Sequence, residues 1–207
     1  MMDFKYYTLQ DFSDLTASSS PAPGGGSISA MTASYAAALV CMVAELTIGK
    51  KGYENVNDIM SDLLNKADTL RKDLLDNIQK DSSSFDGYML ALKLPKNTDE
   101  EKRLRQDAMQ EALKNACNVP LDVAKKSIEV LKLSKIVCEK GNKNTLSDGL
   151  VSAYMARSAA LGAIQNVLIN LAGIKNESFV TSMKNECKII KNRATELENA
   201  CKTTLKQ

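Results

Sequence analysis

PAPGGGSISAMTASYAAALVCMVAELTIGKK, residues 21 to 51, is a Pro/Gly-rich turn that opens into a long run of small residues and closes on two lysines. Three consecutive glycines, Gly24, Gly25 and Gly26, let the backbone approach a ligand or a second chain with no Cβ in the way. Ser27 follows them and is a good N-cap residue, so a helix is predicted to begin there. Such a start presents unpaired N–H groups and the positive end of the helix dipole, suited to a carboxylate, a carbonyl oxygen or a phosphate. The same glycines serve equally well as a plain turn between helices. Their spacing fits neither GxGxxG nor GxxxxGK[ST], which disfavours a nucleotide phosphate loop.

The 18 residues from Ser27 to Ala44 carry no charge, which just reaches the roughly 18 to 20 residues of a membrane span. Against a span stand Ser27, Ser29, Thr32, Ser34, Glu45 and Thr47, and a population dominated by Ala instead of Leu or Ile. Ala30, Ser34 and Ala38 form a small-residue ridge at steps of four, which permits close helix contact in water as in lipid. The expectation is a buried central helix.

Outward from it, Thr8 and Asp11 make a capping-box-like pair that starts a short helix carrying Leu9, Phe12 and Leu15 and ending in Ser18-Ser19-Ser20-Pro21. Its apolar face is too narrow to stand alone and must lie on the central helix or a partner subunit. Beyond Lys51, a long helix is predicted from about Asn55 to Pro95. Its apolar residues Val56, Met60, Leu63, Ala67, Leu70, Leu74, Ile78, Phe85, Tyr88 and Leu92 recur every three or four residues. The stripe position between Ile78 and Phe85 holds Asp81. An acid facing a core must be paired, hydrogen-bonded or held neutral. It either bonds neighbouring serines or a helix N-terminus as a structural device, or serves as a general acid/base with a perturbed pKa.

Thr98 and Glu101 form a capping box opening a helix with Leu104, Ala108, Ala112, Ala116 and Val119, which Pro120 breaks or kinks before a continuation to a Gly141 C-cap. The charges in DEEKRLRQD read as a solvated face. Asn142 to Ser147 form a turn, and Ser147 or Thr145 caps a helix with Asp148 in its first turn. That helix repeats the small residues of the central one in Ala153, Ala156, Ala160, Gly162 and Ala163, so the two are expected to pack closely as an inner pair. Asn166 and Asn170 put two amides on one face of it, for interhelix hydrogen bonds or for a ligand. A last amphipathic helix runs from Glu177 to about Leu205. The fold class is therefore an all-α bundle of six or seven helices with two small-residue inner helices, and no composition break divides residues 1–207 into more than one domain.

Net charge is +2, from 27 basic and 25 acidic residues, which gives no footprint for nucleic acid or a membrane surface. Five widely spaced cysteines, with no CxxC, point to reduced thiols, a cytoplasmic location and no metal site. The N-terminus has no hydrophobic signal core. The sequence contains no histidine. Ser–His and Cys–His nucleophile pairs are thereby excluded, and any catalysis must run on carboxylates, lysines, hydroxyls or backbone dipoles.

PAPGGGS, the Ala-rich helix and LTIGKKGYENV together resemble the cyclodeaminase/cyclohydrolase family of folate one-carbon enzymes. That family comprises the C-terminal half of formiminotransferase-cyclodeaminase and stand-alone methenyltetrahydrofolate cyclohydrolases. The likeness continues through Asp81 and Phe85 in DSSSFDGY, Leu94-Pro95-Lys96, Val119-Pro120, Gly141-Asn142, Ser147-Asp148, and Asn166-Val167 with Asn170. Gly52 and Leu168 stand where the family often has basic residues. The resemblance implies a homodimer with folate sites near the glycine loop and no cofactor beyond the tetrahydrofolate substrate. The implied reaction is either hydrolysis of 5,10-methenyltetrahydrofolate to 10-formyltetrahydrofolate or cyclodeamination of formiminotetrahydrofolate. Asp81 is the candidate acid/base and Lys51 a cationic partner, while Asp148 is a carboxylate suited to the pterin edge. Pro23, Gly24, Gly25, Gly26, Ser27, Lys50, Asn166 and Asn170 are candidates for substrate binding. No transferase domain accompanies this sequence, which favours the cyclohydrolase; a catalytically silent helical dimerisation or ligand-binding module is the alternative of another class.

Overall fold

A computed structural model describes residues 3–204. The helices are α1 (Leu9–Thr16), α2 (Gly25–Glu45), α3 (Asn57–Leu92), α4 (Asp99–Lys140), α5 (Leu146–Leu171) and α6 (Glu177–Thr203), with short 3₁₀ turns before α1, between α2 and α3 and between α4 and α5. No strand occurs among the described residues. The predicted end of the last helix near Leu205 lies outside the described residues.

Side-chain bonds fix the topology. Ser27 and Ser34 of α2 reach Ile78 and Arg71 of α3, so these two helices run antiparallel. Asn77 of α3 bonds Asp122 of α4, and Arg105 of α4 bonds Leu92 of α3. Ser134 pairs with Ser152 between α4 and α5, and Ser152 also donates to the Ala36 carbonyl of α2. Helices α2 to α5 therefore alternate in direction, up and down. The end of the bundle holding the start of α2 also holds the second half of α3, the start of α4 and the end of α5.

The inner pair is α2 and α5. Ala30, Ala33, Ala36 and Ala37 of α2 and Ala153, Ala156, Ala160 and Ala163 of α5 are all fully buried. Their small side chains let the two backbones approach, and a Cβ on Gly162 would come 2.6 Å from the Ser29 hydroxyl. The buried serines of this interface find acceptors, because an unpaired hydroxyl there would cost about 1–3 kcal/mol. α2 is the one helix among the described residues that is long and apolar enough to cross a membrane; its small-residue face is packed against α3, α4 and α5.

Two expectations change. α2 begins at Gly25 with Gly24 as N-cap in extended conformation, so Ser27 sits inside the first turn and caps nothing. Its hydroxyl is committed to α3 instead. Pro120 neither ends nor divides its helix, since α4 runs unbroken from Asp99 to Lys140. Thr98 and Glu101 form the predicted capping box, and Gly141 is the C-cap. Thr8 caps α1, whose Phe12 is buried while Leu9 stays exposed.

Candidate active site

Asp81 is the centre of the site. The helical stripe of α3 turns it inward, where it is largely buried opposite the first turn of α2. The Ser27 hydroxyl donates to Asp81 Oδ2 at 2.9 Å, with the Ile78 carbonyl as an alternative acceptor at 3.1 Å. Burial pushes the Asp81 carboxyl above its ordinary value of 3.8, opposed by hydrogen bonds from the Ser27 hydroxyl and the Ser27 backbone N–H. Gly26 makes this approach possible, because a Cβ there would overlap the carboxylate. A Cβ on Gly25 would come 3.2 Å from the Asn166 amide nitrogen, a tighter fit than usual but not the overlap met at Gly26. Gly24 has no side chain with which to cap the first N–H groups of α2, so the positive end of that helix opens beside an acid.

A cavity of about 330 Å³ lies against this pair. Its walls include Gly24, Gly25, Gly26 and Asp81, with Asn166, Ile169 and Asn170 from α5 and Phe85, Tyr88 and Leu113 from α3 and α4. Among the described residues Asp81 is its one carboxylate, and no lysine or arginine lines it. Asn166 donates its amide to the Gly162 carbonyl at 2.9 Å and Asn170 to the Ala116 carbonyl at 2.7 Å.

The second of these bonds has a cause in the sequence. Proline has no N–H, so Pro120 leaves the carbonyl four residues earlier, that of Ala116, without its helical donor. Asn170 supplies the missing donor, which fixes its amide at the pocket wall with the carbonyl oxygen as its remaining acceptor. Of the two alternatives the sequence left open for Asn170, the interhelix bond is formed, and the residue also lines the cavity.

The other sequence candidates lie elsewhere. Pro23 is buried behind the loop, after a cis Ala22–Pro23 bond, and does not line the cavity. Lys50 and Lys51 are exposed on a turn between Gly49 (φ 70°) and Gly52 (φ 90°), a left-handed conformation that favours glycine. Asn57 accepts from the Gly49 N–H and Glu54 from the Gly52 N–H, which holds the turn in shape. Asp148 starts α5 near that same end. The 21 residues of α2 separate these three from Asp81 by about 32 Å. Within one chain the structure brings Asp81 together with Gly24, Gly25, Gly26, Ser27, Asn166 and Asn170, and does not bring it together with Lys50, Lys51 or Asp148.

Ser82, Ser84 and Leu113 also line the cavity without having been singled out in the sequence. The two serines stand one and three residues after Asp81, and nothing in their spacing marks them. Tyr88 was legible only as a member of the α3 stripe.

Three comparisons bear on what such a site serves. Residues 8–189 match the family model described as formiminotransferase-cyclodeaminase. A methenyltetrahydrofolate cyclohydrolase of Methylorubrum extorquens is 41% identical over 199 residues, covering 96% of each chain. A formimidoyltransferase-cyclodeaminase of Gallus gallus is 41% identical over 162 residues, which is 78% of this chain but 30% of that protein. Among solved structures, the formiminotetrahydrofolate cyclodeaminase of Thermotoga maritima matches with a TM-score of 0.88 and 32% identity, covering 98% of this chain and 97% of that one.

Proposed function

The chain belongs to the formiminotransferase-cyclodeaminase family, and from that premise we propose that it is a methenyltetrahydrofolate cyclohydrolase, converting 5,10-methenyltetrahydrofolate and water to 10-formyltetrahydrofolate. The observation that carries this reading is the 41% identity, over 96% of both chains, to a protein of that name. The second reading, formiminotetrahydrofolate cyclodeaminase, is favoured by the Thermotoga maritima structure, which is matched over nearly its whole length.

The pocket suits either chemistry. The methenyl bridge is an amidinium cation, and the cavity offers it one carboxylate and no competing cation among its lining residues. Asp81, as carboxylate, takes a proton from water as the oxygen bonds to the bridging carbon. The tetrahedral adduct then loses its bond between that carbon and nitrogen 5. Asp81 returns its proton to nitrogen 5, the C=O of the formyl group forms on nitrogen 10, and the hydroxyl proton leaves as the net proton of the reaction. The uncapped N–H groups of Gly25 and Gly26 stabilise negative charge growing on the adduct oxygen. Asn170 and Asn166 present amide oxygens to donors on the pterin ring, and Phe85 and Tyr88 supply aromatic walls for it. Nothing in the sequence of bond changes calls for a redox or metal cofactor.

We further propose a homodimer. The outward face of α2, through Tyr35, Leu39, Met42 and Leu46, is free of charge, and Ser152 bonded to the Ala36 carbonyl places the α5 segment carrying Val151 and Met155 beside that helix. A two-fold axis across the middle of this face would run the partner's α2 antiparallel to the first. The end bearing Lys50 and Lys51 in one copy would then come over the pocket end of the other. A role for Lys51 or Asp148 beside Asp81 depends on that second copy. The five cysteines, all free, support a reducing cytoplasmic setting. Ammonia release from formiminotetrahydrofolate, measured beside hydrolysis of methenyltetrahydrofolate, separates the two enzymatic readings.

A further inference from the structure

Hydroxyls buried in this bundle find acceptors, because a donor left unpaired in a core is costly. Ser29, Thr47, Ser127 and Ser134 each donate to the carbonyl four residues earlier on the same chain, at 2.6–2.9 Å. Ser27, Ser34 and Ser152 donate to a neighbouring helix, and Ser84 and Thr145 to the carbonyl three residues earlier. Ser82 is the exception. It is 5% exposed, yet its hydroxyl makes no hydrogen bond among the described residues.

The cause lies in Ser27. The acceptor four residues before Ser82 is the Ile78 carbonyl, which receives the helical N–H of Ser82 within α3 and the Ser27 hydroxyl at 3.1 Å. Its two lone pairs are then engaged, and none remains for Ser82 Oγ. Nor is that oxygen sealed in the core, since Ser82 belongs to the wall of the Asp81 cavity. The missing partner is therefore supplied from the cavity. Asp81 and Ser82 are neighbours on α3, and successive side chains of a helix diverge by about 100°. The carboxylate and the free hydroxyl thus flank one corner of the cavity from a single turn.

We infer that the Ser82 hydroxyl holds the water that attacks the one-carbon bridge. The inference rests on the cyclohydrolase reading and adds a residue to it. A water in this corner donates one hydrogen to Asp81 and accepts one from Ser82. Two fixed partners orient it and leave its other lone pair for the bridging carbon. As the oxygen bonds to that carbon its proton passes to Asp81, while the Ser82 O–H stays on the oxygen and stabilises the charge growing there. Ser82 itself gains and loses no proton. In cyclodeamination nitrogen 10 is the nucleophile and no water attacks, so this hydroxyl serves hydrolysis alone.

Hydrolysis of methenyltetrahydrofolate by the wild type, Ser82→Ala and Ser82→Thr, with a melting curve and a titration of pteroylmonoglutamate for each, tests this. Ser82→Ala is expected to lower kcat by about 10- to 100-fold with KM within about twofold, as for loss of a donor to a developing oxyanion. Ser82→Thr, which keeps the hydroxyl, is expected to retain kcat within about threefold. Pteroylmonoglutamate carries no one-carbon bridge for water to attack, and its affinity should be equal in all three proteins. Ser82→Ala should melt no lower than the wild type, because it removes an unpaired donor and orphans no acceptor. A kcat for Ser82→Ala within threefold of wild type, or a Ser82→Thr protein as slow as Ser82→Ala, overturns the inference. So does a loss of activity matched by lower melting, which makes Ser82 structural, or by lower pteroylmonoglutamate affinity, which makes it a substrate contact. Each of these leaves the folate pocket standing. Absence of hydrolysis by the folded wild type overturns the cyclohydrolase reading and this inference with it.

Discussion

Asp81→Asn separates proton transfer from packing at the one place where a helix stripe carries an acid inward. The amide has nearly the shape of the carboxylate and keeps an acceptor for the Ser27 hydroxyl, now 2.9 Å from Oδ2. The structure also fixes the sign of the stability change. Burial holds the Asp81 carboxyl above 3.8, so the folded chain binds more protons than the unfolded chain between the two pKa values. Stability due to this group is therefore present below the unfolded value and lost as pH rises through the folded one. At pH 7 the ionised carboxylate is a cost, and the amide removes it. The variant is expected to melt at or above the wild-type temperature at pH 7, with the gain vanishing near pH 3. Among the described residues no other carboxylate lines the cavity to take over the proton, so kcat for methenyltetrahydrofolate should fall by at least about 100-fold with KM little changed. Stopped-flow absorbance at saturating substrate and a melting curve on the same sample provide both readings. Normal melting with kcat within a few-fold of wild type would refute the reasoning, and a parallel loss of both would make Asp81 a structural residue.

Further expectations follow from neighbouring contacts. Gly26→Ala places a methyl where the Asp81 carboxylate now lies, and should lower kcat more than tenfold while costing about 1–3 kcal/mol in urea unfolding; retained activity would show that Asp81 need not sit there. Pro120→Ala restores an N–H to the Ala116 carbonyl in competition with Asn170, so it should stabilise α4 by up to about 3 kcal/mol yet raise KM several-fold, and an unchanged KM would detach Asn170 from binding. Mixing separately inactive Asp81→Asn and Lys51→Met proteins under exchange should restore about a quarter of wild-type activity if Lys51 acts across the two-fold. An active Lys51→Met protein, or no recovery on mixing, would set Lys51 aside.

How far the sequence could be read depends on whether a signal is local. The apolar steps of α3, the capping box at Thr98 and Glu101, and the alanine repeats of α2 and α5 are local signals, and they led to the right elements and the right inner pair. Asp81 was conspicuous because it breaks its own stripe. The α2 start departs from serine's local capping preference because Asp81, 54 residues away, claims the Ser27 hydroxyl and excludes a Cβ at Gly26. Pro120 looked like a break because its missing hydrogen bond is repaired from Asn170, 50 residues later.

The most direct test of the account is the rate at which the purified chain removes the near-ultraviolet absorbance of 5,10-methenyltetrahydrofolate, compared with the spontaneous hydrolysis in the same buffer. The account predicts enzyme-dependent loss that is proportional to protein concentration, saturates with substrate and yields 10-formyltetrahydrofolate. A rate indistinguishable from the spontaneous one, with folded protein present, would contradict it.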